Sequence, residues 1–212
     1  MIDYGALAAE PYEARGILHS EVAFIIAACR EQGIERFIES GRARGQSTYM
    51  LAKYMPDVDV HSVEGRMTQD EHFARARLAR LENVKLYMGD GDIMLPLIAA
   101  ESTKPTAVMC DGPKGARAVK VVRECFSLPQ VRVGFIHDMR RLDHTLPSPH
   151  RDCAIMHLPL HRFSDDPEHV SASSWMDAGI AAAGGPCGPQ FEAEHGSYGP
   201  TIGAFFNPQN QN

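Results

Sequence analysis

The chain has 212 residues, 44% of them apolar and 23% charged, which excludes a disordered, collagenous or coiled-coil protein and allows one sizeable core. A formal net charge of −6 disfavours nucleic acid or an anionic membrane as partner and favours a small molecule. Five cysteines without a C-x-x-C pair, and a start lacking a basic stretch followed by an apolar one, give the expectation of a reduced, cytoplasmic protein. The longest apolar run, Val22 to Cys29, is eight residues, against about 18 for a membrane span.

Apolar residues at Leu18, Val22, Ile25, Ile26 and Cys29 predict a covering helix over 14–30. IERFIESG then reads as a strand closed by glycine, and GQSTYMLAKYM as a helix starting after Gly45, capped by Ser47 or Thr48. Val58 to Gly65 predicts a second strand, and Thr68 to Glu71 a capping box that opens a helix to about Leu81. VKLYMGDG leads into the helix DIMLPLIAA, with Pro96 in its first turn. TAVMCDGPKG leads into a helix with Ala118, Val121, Val122 and Cys125 on its apolar face, and Val131 to Met139 supplies a fifth strand. Residues 140–196, rich in His, Pro, Asp and Gly, predict a loop-rich cap with one strand from Cys153 to Leu160; a last strand falls around Thr201 to Phe206. Strands alternating with helices predict an α/β fold, doubly wound around a mostly parallel seven-stranded sheet. It would form a single domain: a helical cover (1–33), a core (34–139), the cap (140–196), and the last strand with its tail (197–212).

In such a sheet ligands bind beyond the carboxyl ends of the strands. Polar residues follow every one of the five: Glu39, Ser40 and Gly41 with Gly45, then Glu64, then Asp90 and Asp92, then Asp111 with Lys114, then His137 and Asp138. The loop from Gly41 to Gly45 is one residue short of a phosphate-binding P-loop, with Gln46 at the lysine position. It also lacks the second and third glycines of a dinucleotide fingerprint, where Ala43 and Gln46 stand. What remains is E-x-G-x-x-x-G-x-S, with the acid Glu64 ending the next strand 25 positions after Glu39.

That pattern resembles the first motif of the class I S-adenosylmethionine-dependent methyltransferases. Between Ile34 and Met139 the chain is most similar to the catechol O-methyltransferase type, through FIESGRARGQSTYMLAKYM, HSVEGR, MGDGDIMLPLI and the D-x-x-K of Asp111 to Lys114. The resemblance implies a Rossmann-like methyltransferase fold and S-adenosylmethionine as cofactor, held by Glu39, Ser40, Gly41, Gly45, Ser47, Glu64, Gly65, Gly89, Asp90, Gly91, Asp92 and Asp111. Glu64 would accept both ribose hydroxyls. It further implies methyl transfer to a hydroxyl of a small metabolite. Asp111 and Asp138 would hold Mg²⁺ or orient substrate, and Lys114, its pKa depressed by the cation and by burial, would be the general base.

One departure stands out. The family's third metal ligand is an amide directly after the second aspartate, and this chain has Met139 there, a thioether that Mg²⁺ disfavours. Asp143, His137, Asp90 or water are the alternatives. Arg42 and Arg44 either face solvent or recognise an anionic substrate group. His144, His150, His157 and His161 lack convincing zinc spacing. Trp175 and Met176 either pack the cap on the core or line a pocket. An NAD-dependent oxidoreductase of similar topology and a non-catalytic S-adenosylmethionine-binding protein are the rival readings, and a homodimer is left open.

Overall fold

The computed structural model describes residues 2–13, 16–139 and 149–210, the side chains of 149 and 150 excepted. Seven strands form one sheet in the order β3-β2-β1-β4-β5-β7-β6. They are β1 (Arg36–Ser40), β2 (Asp59–Glu64), β3 (Val84–Met88), β4 (Thr106–Cys110), β5 (Val131–Ile136), β6 (His161–Phe163) and β7 (Gly203–Phe206). The first five run parallel, while β7 lies antiparallel between β5 and β6. β1 and β4 are buried along their whole length, as expected of central strands covered on both faces.

The helices are α1 (Tyr4–Ala8), α2 (His19–Glu31), α3 (Gln46–Tyr54), α4 (Gln69–Leu78), α5 (Gly91–Ala100), α6 (Ala116–Cys125), α7 (Pro149–His157), α8 (Pro167–Ser173), α9 (Ala178–Ala182) and α10 (Pro189–His195). One core cluster packs α2 and α3 on the sheet through Ile25, Ile26, Phe37, Leu51 and Phe135. Another packs α5, α6 and α7 on the opposite face through Ile38, Leu95, Val122 and Ala154. The sheet is therefore covered on both sides, as the alternation of strands and helices requires. No helix among the described residues is long and apolar enough to cross a membrane.

Several local expectations fail for identifiable reasons. α3 has Gly45 at its N-cap, without a side-chain cap; Ser47 and Thr48 donate instead to the buried Glu39 carboxylate. Thr68 makes no side-chain capping bond to α4, and the Glu71 carboxylate that would complete the box turns inward to Arg42. Pro96 lies inside α5, beyond its first turn. The strand expected from Cys153 to Leu160 is α7 over most of that length. There Pro149 opens the helix and Ala154 and Leu158, four apart, are buried while Met156 is 76% exposed. With α7 to α10 the cap is largely helical rather than loop-rich. Asp143 and His144 lie outside the described residues.

In a strand, residues 154, 156 and 158 would share a face; in a helix 156 turns away. Leu158→Ala is therefore expected to cost about 2–5 kcal/mol in urea unfolding, and Met156→Ala within about 0.5 kcal/mol of zero. Equal losses at both sites would restore the strand.

On β2, His61 is buried, accepts from Arg36 Nε at 3.2 Å and stacks on Tyr87. Burial, then the Arg36 charge, lowers its pKa to about 4. The unfolded chain, with a histidine near pH 6.5, thus binds more protons between those values, so stability falls as pH drops from about 6.5 to about 4. His61→Gln is expected to flatten that part of the stability profile.

Candidate active site

The carboxyl ends of β1, β2, β3, β4 and β5 open onto two adjoining cavities. One, of about 440 Å³, is bordered by Ser40, Gly41, Glu64, Gly65, Gly89, Asp90, Gly91 and Asp92. The other, of about 810 Å³, is bordered by Gly41, Glu64, Asp111, Lys114, His137 and Asp138 on the sheet side and by Ile180 to Pro186 of the cap. Gly41 and Glu64 belong to both. Both volumes are of small-molecule size.

Local geometry explains the shared wall. Gly41 has φ +91°, and a Cβ there would stand 2.5 Å from the Gly112 amide nitrogen, so only glycine lets the ends of β1 and β4 approach. Ser40 O accepts from the amides of Asp111 and Gly112 at 3.0 and 2.9 Å. The Glu64 carboxylate accepts from Ala43 N at 3.0 Å and Arg66 N at 3.2 Å, one bond per oxygen, leaving acceptor capacity on each. Asp90 caps α5 by accepting from Asp92 N, and Asp92 pairs with Arg117 at 2.6 Å. Ser40 Oγ and Asp92 Oδ1 are buried without a hydrogen-bond partner, although both residues border the smaller cavity. Buried polar atoms left unpaired at a cavity wall fit a ligand that supplies the partners.

The remaining expected cofactor residues sit behind this wall. Glu39 is fully buried and takes hydrogen bonds from Ser47, Thr48 and Ser62. Burial raises its pKa, against the lowering effect of those hydroxyls. Gly45 packs on Ala74 and Leu78 of α4, so its role is to seat that helix. Ser47 borders a small hollow of about 80 Å³ next to Glu13 and Gln46.

Arg42 does not face solvent or substrate. It is buried and forms a two-pronged pair with Glu71, Nε to Oε2 at 2.9 Å and Nη2 to Oε1 at 2.7 Å, and donates to Ser62 O at 2.5 Å. The guanidinium thereby ties the first loop to β2 and α4. Arg44 pairs with Glu13 at 2.8 Å and lies over the Phe73 ring. Met176 is buried in the core while Trp175 is 54% exposed. His161 Nδ1 bonds to Pro159 O, outside any metal cluster among the described residues.

In the larger cavity a row of alternating charges runs outward from α2. Glu21, 1% exposed, accepts from Leu18 N at 3.0 Å, and its Oε2 lies 3.5 Å from His137 Nε2. His137 Nδ1 is 3.0 Å from Asp111 Oδ1 and 3.4 Å from Asp138 Oδ1. Lys114 Nζ bonds to Asp111 and, at 2.6 Å, to Asp138 Oδ2. Asp111 is not a helix cap, since Gly115 holds that position on α6. Burial would push Asp111 up, but His137 and Lys114 outweigh it and hold its carboxyl well below the usual range. At Lys114 burial would lower the pKa, and Asp111 and Asp138 together outweigh it and raise it. Asp138 has φ +59°, a conformation that aspartate tolerates; its side chain joins the site while Met139, 1% exposed, turns into the core beside Gly203.

Glu21 is absent from the sequence expectations. The signal was present, because Glu21 falls on the otherwise apolar helical stripe that carries Leu18 and Ile25.

No protein-family model matches the chain, and no curated protein matches it. Solved structures do. A Klebsiella pneumoniae protein assigned as an O-methyltransferase superposes with a TM-score of 0.57 at 13% identity, covering 97% of this chain and 87% of that one. The O-methyltransferase from Bacillus cereus in complex with SAH gives 0.56 at 19% identity over 95% and 87%. The O-methyltransferase TomG from Streptomyces achromogenes in complex with SAM gives 0.55 at 16% over 91% and 82%. The chain has the class I methyltransferase fold. At these identities the likeness is one of architecture, and the chemistry has to be argued from the site itself.

The Arg42–Glu71 pair supplies a test of how the first loop is held. Glu71→Ala leaves a buried guanidinium without its counter-charge and is expected to cost about 3–5 kcal/mol in chemical denaturation. Replacing both residues by apolar ones of similar volume should recover most of that loss.

Proposed function

We propose that the chain is an S-adenosylmethionine-dependent methyltransferase acting on a hydroxyl of a small metabolite. The observation that carries this reading is the pair of cavities meeting at Gly41 and Glu64, one walled by glycines and acidic side chains, the other by the charged row. An acidic, glycine-walled cavity suits a sulfonium donor, and Glu64 has acceptor capacity for two ribose hydroxyls. The antiparallel β7 between β5 and β6 departs from the dinucleotide-binding strand order, which argues against the oxidoreductase alternative.

Methyl transfer needs an acceptor oxygen aligned with the S-methyl bond and made electron-rich. Lys114, Asp111, His137 and Asp138 border the acceptor cavity, and we assign them that task. As an ammonium flanked by two aspartates, Lys114 stabilises a developing oxyanion; it becomes a competent base only when its carboxylate partners are engaged elsewhere. Ile180 and residues 183–186 of the cap border the cavity on the side facing the charged row. Mg²⁺ calls for an all-oxygen octahedral shell. Asp111 and Asp138 would supply two of those oxygens with water completing the shell; His137 is the third side chain within reach, and Met139 is buried in the core.

Titration calorimetry with S-adenosylmethionine should show one site, weakened about ten- to a hundredfold by Glu64→Ala. Absence of binding at millimolar cofactor would refute the proposal. Lys114→Ala should abolish product formation across a panel of hydroxylated acceptors while cofactor affinity stays nearly constant. Lys114→Arg then separates the two roles: retained turnover assigns Lys114 to charge stabilisation, lost turnover to proton removal.

A further inference from the structure

Glu21 occupies a position that packing alone would fill with an aliphatic side chain. It lies on the apolar stripe of α2 and is 1% exposed. Its Oε2 accepts from Leu18 N, while Oε1 has no hydrogen bond. A carboxylate kept in such a place is destabilising unless a positive group faces it, and local rules of this kind are broken chiefly at functional sites. The group it faces is His137, whose Nε2 is buried without a hydrogen bond 3.5 Å from Glu21 Oε2. Glu21 itself borders neither cavity.

We propose that Glu21 is a positioning residue for the transfer step: from α2 it fixes the imidazole of His137, and the ring in turn holds Asp111 and Lys114 where the acceptor oxygen needs them. The inference rests on the methyl-transfer reading and adds to it a residue that touches neither ligand.

The backbone leaves this task to side chains. His137 N donates to Cys110 O at 3.1 Å and Asp111 N to Ser40 O at 3.0 Å, so the main chain at both residues is pinned to the neighbouring strand. The ring plane is not, because rotation about the Cβ–Cγ bond of histidine is broad and roughly two-fold. Charges on opposite edges of the ring remove that freedom. Glu21 stands at the Nε2 edge, while Asp111 and Asp138 stand 3.0 and 3.4 Å from Nδ1. A carboxylate at Nε2 favours a proton there whether the ring is neutral or charged, so the orientation does not depend on the charge state. Glu21 is also firmly seated, since the adjacent Ser20 N donates to the buried Asp177 of the cap at 3.1 Å. With the ring fixed, Asp111 is held between Nδ1 and the Lys114 ammonium, which also contacts Asp138. Without the charge of Glu21 the ring is free to turn, and Asp111 and Lys114 lose their common reference. A misplacement of about 1 Å in groups that align the reacting atoms costs about a hundredfold in rate.

The test is Glu21→Gln, which keeps an oxygen for Leu18 N and removes the charge. With the best acceptor from the hydroxylated panel, kcat should fall about ten- to a hundredfold. The S-adenosylmethionine Kd and the acceptor KM should stay within about threefold. In a His137→Asn background the same substitution should have no further effect, because the two residues act as a unit. A second measurement needs neither cofactor nor acceptor. In ¹⁵N-histidine-labelled protein the His137 ring signals, identified by their loss in His137→Asn, should show a solvent-protected proton on Nε2. Glu21→Gln should shift that nitrogen and speed exchange of its proton. A residue that only caps α2 would leave kcat and the ring signals unchanged on this substitution, and either result overturns the proposal, as do losses that simply add in the double variant. If Glu21→Gln does not fold, His137→Asn decides: wild-type kcat there refutes the relay. Absence of S-adenosylmethionine binding refutes the methyl-transfer reading whatever the ring signals show. With binding and turnover intact, an unresponsive ring or an unchanged kcat refutes this proposal alone.

Discussion

The candidate site is organised by a single row of alternating charges, Glu21, His137, Asp111, Lys114 and Asp138, that starts in the core and ends at the cavity. A carboxylate as buried as Glu21 is costly unless a positive group faces it. His137 is that group, and Asp111 balances His137 on the other side. Burial pushes Glu21 up, while Glu21 and Asp111 outweigh burial at His137 and raise it. The row links α2, from the N-terminal cover, to the ends of β4 and β5, so the covering helix is part of the site and not only its lid.

The first loop is fixed in an analogous way toward the β2–β3 end of the sheet. Arg42 reaches Glu71 on α4 and the backbone of β2, and Glu64 reaches back to Ala43 on the loop. The glycines allow the chain to come close; the buried ion pair determines where it stops. Cofactor recognition, on the reading argued above, would thus depend on charged residues that face no ligand.

The sheet was legible because β4 and β5 are mostly apolar, β1 and β2 carry β-branched or aromatic residues, and each is followed within two residues by a glycine or an acidic residue, a local signal that tertiary context reinforces. The residues at the strand ends were legible for the same reason: in a parallel sheet all carboxyl ends share one edge, so Glu64, Asp90, Asp111 and Asp138 had to converge. Side-chain partners were not. Thr68 to Glu71 carries a capping-box pattern, but Arg42 offers Glu71 a stronger partner from 29 positions away. Cys153 to Leu160 has an apolar run short enough for strand or helix, and only packing of Ala154 and Leu158 against α6 and β5 decides.

The placement of β7 has a further consequence. Among the described residues β6 borders no strand except β7, and β7 is formed by residues 203–206, so the edge of the sheet is completed only when a late segment wedges in beside β5. Loss of that segment would strip two strands rather than one and expose the flank of β5. Proteolytic trimming near Gly203 should therefore be far more damaging, and more prone to cause clumping, than trimming of an equal length from the polar tail beyond it.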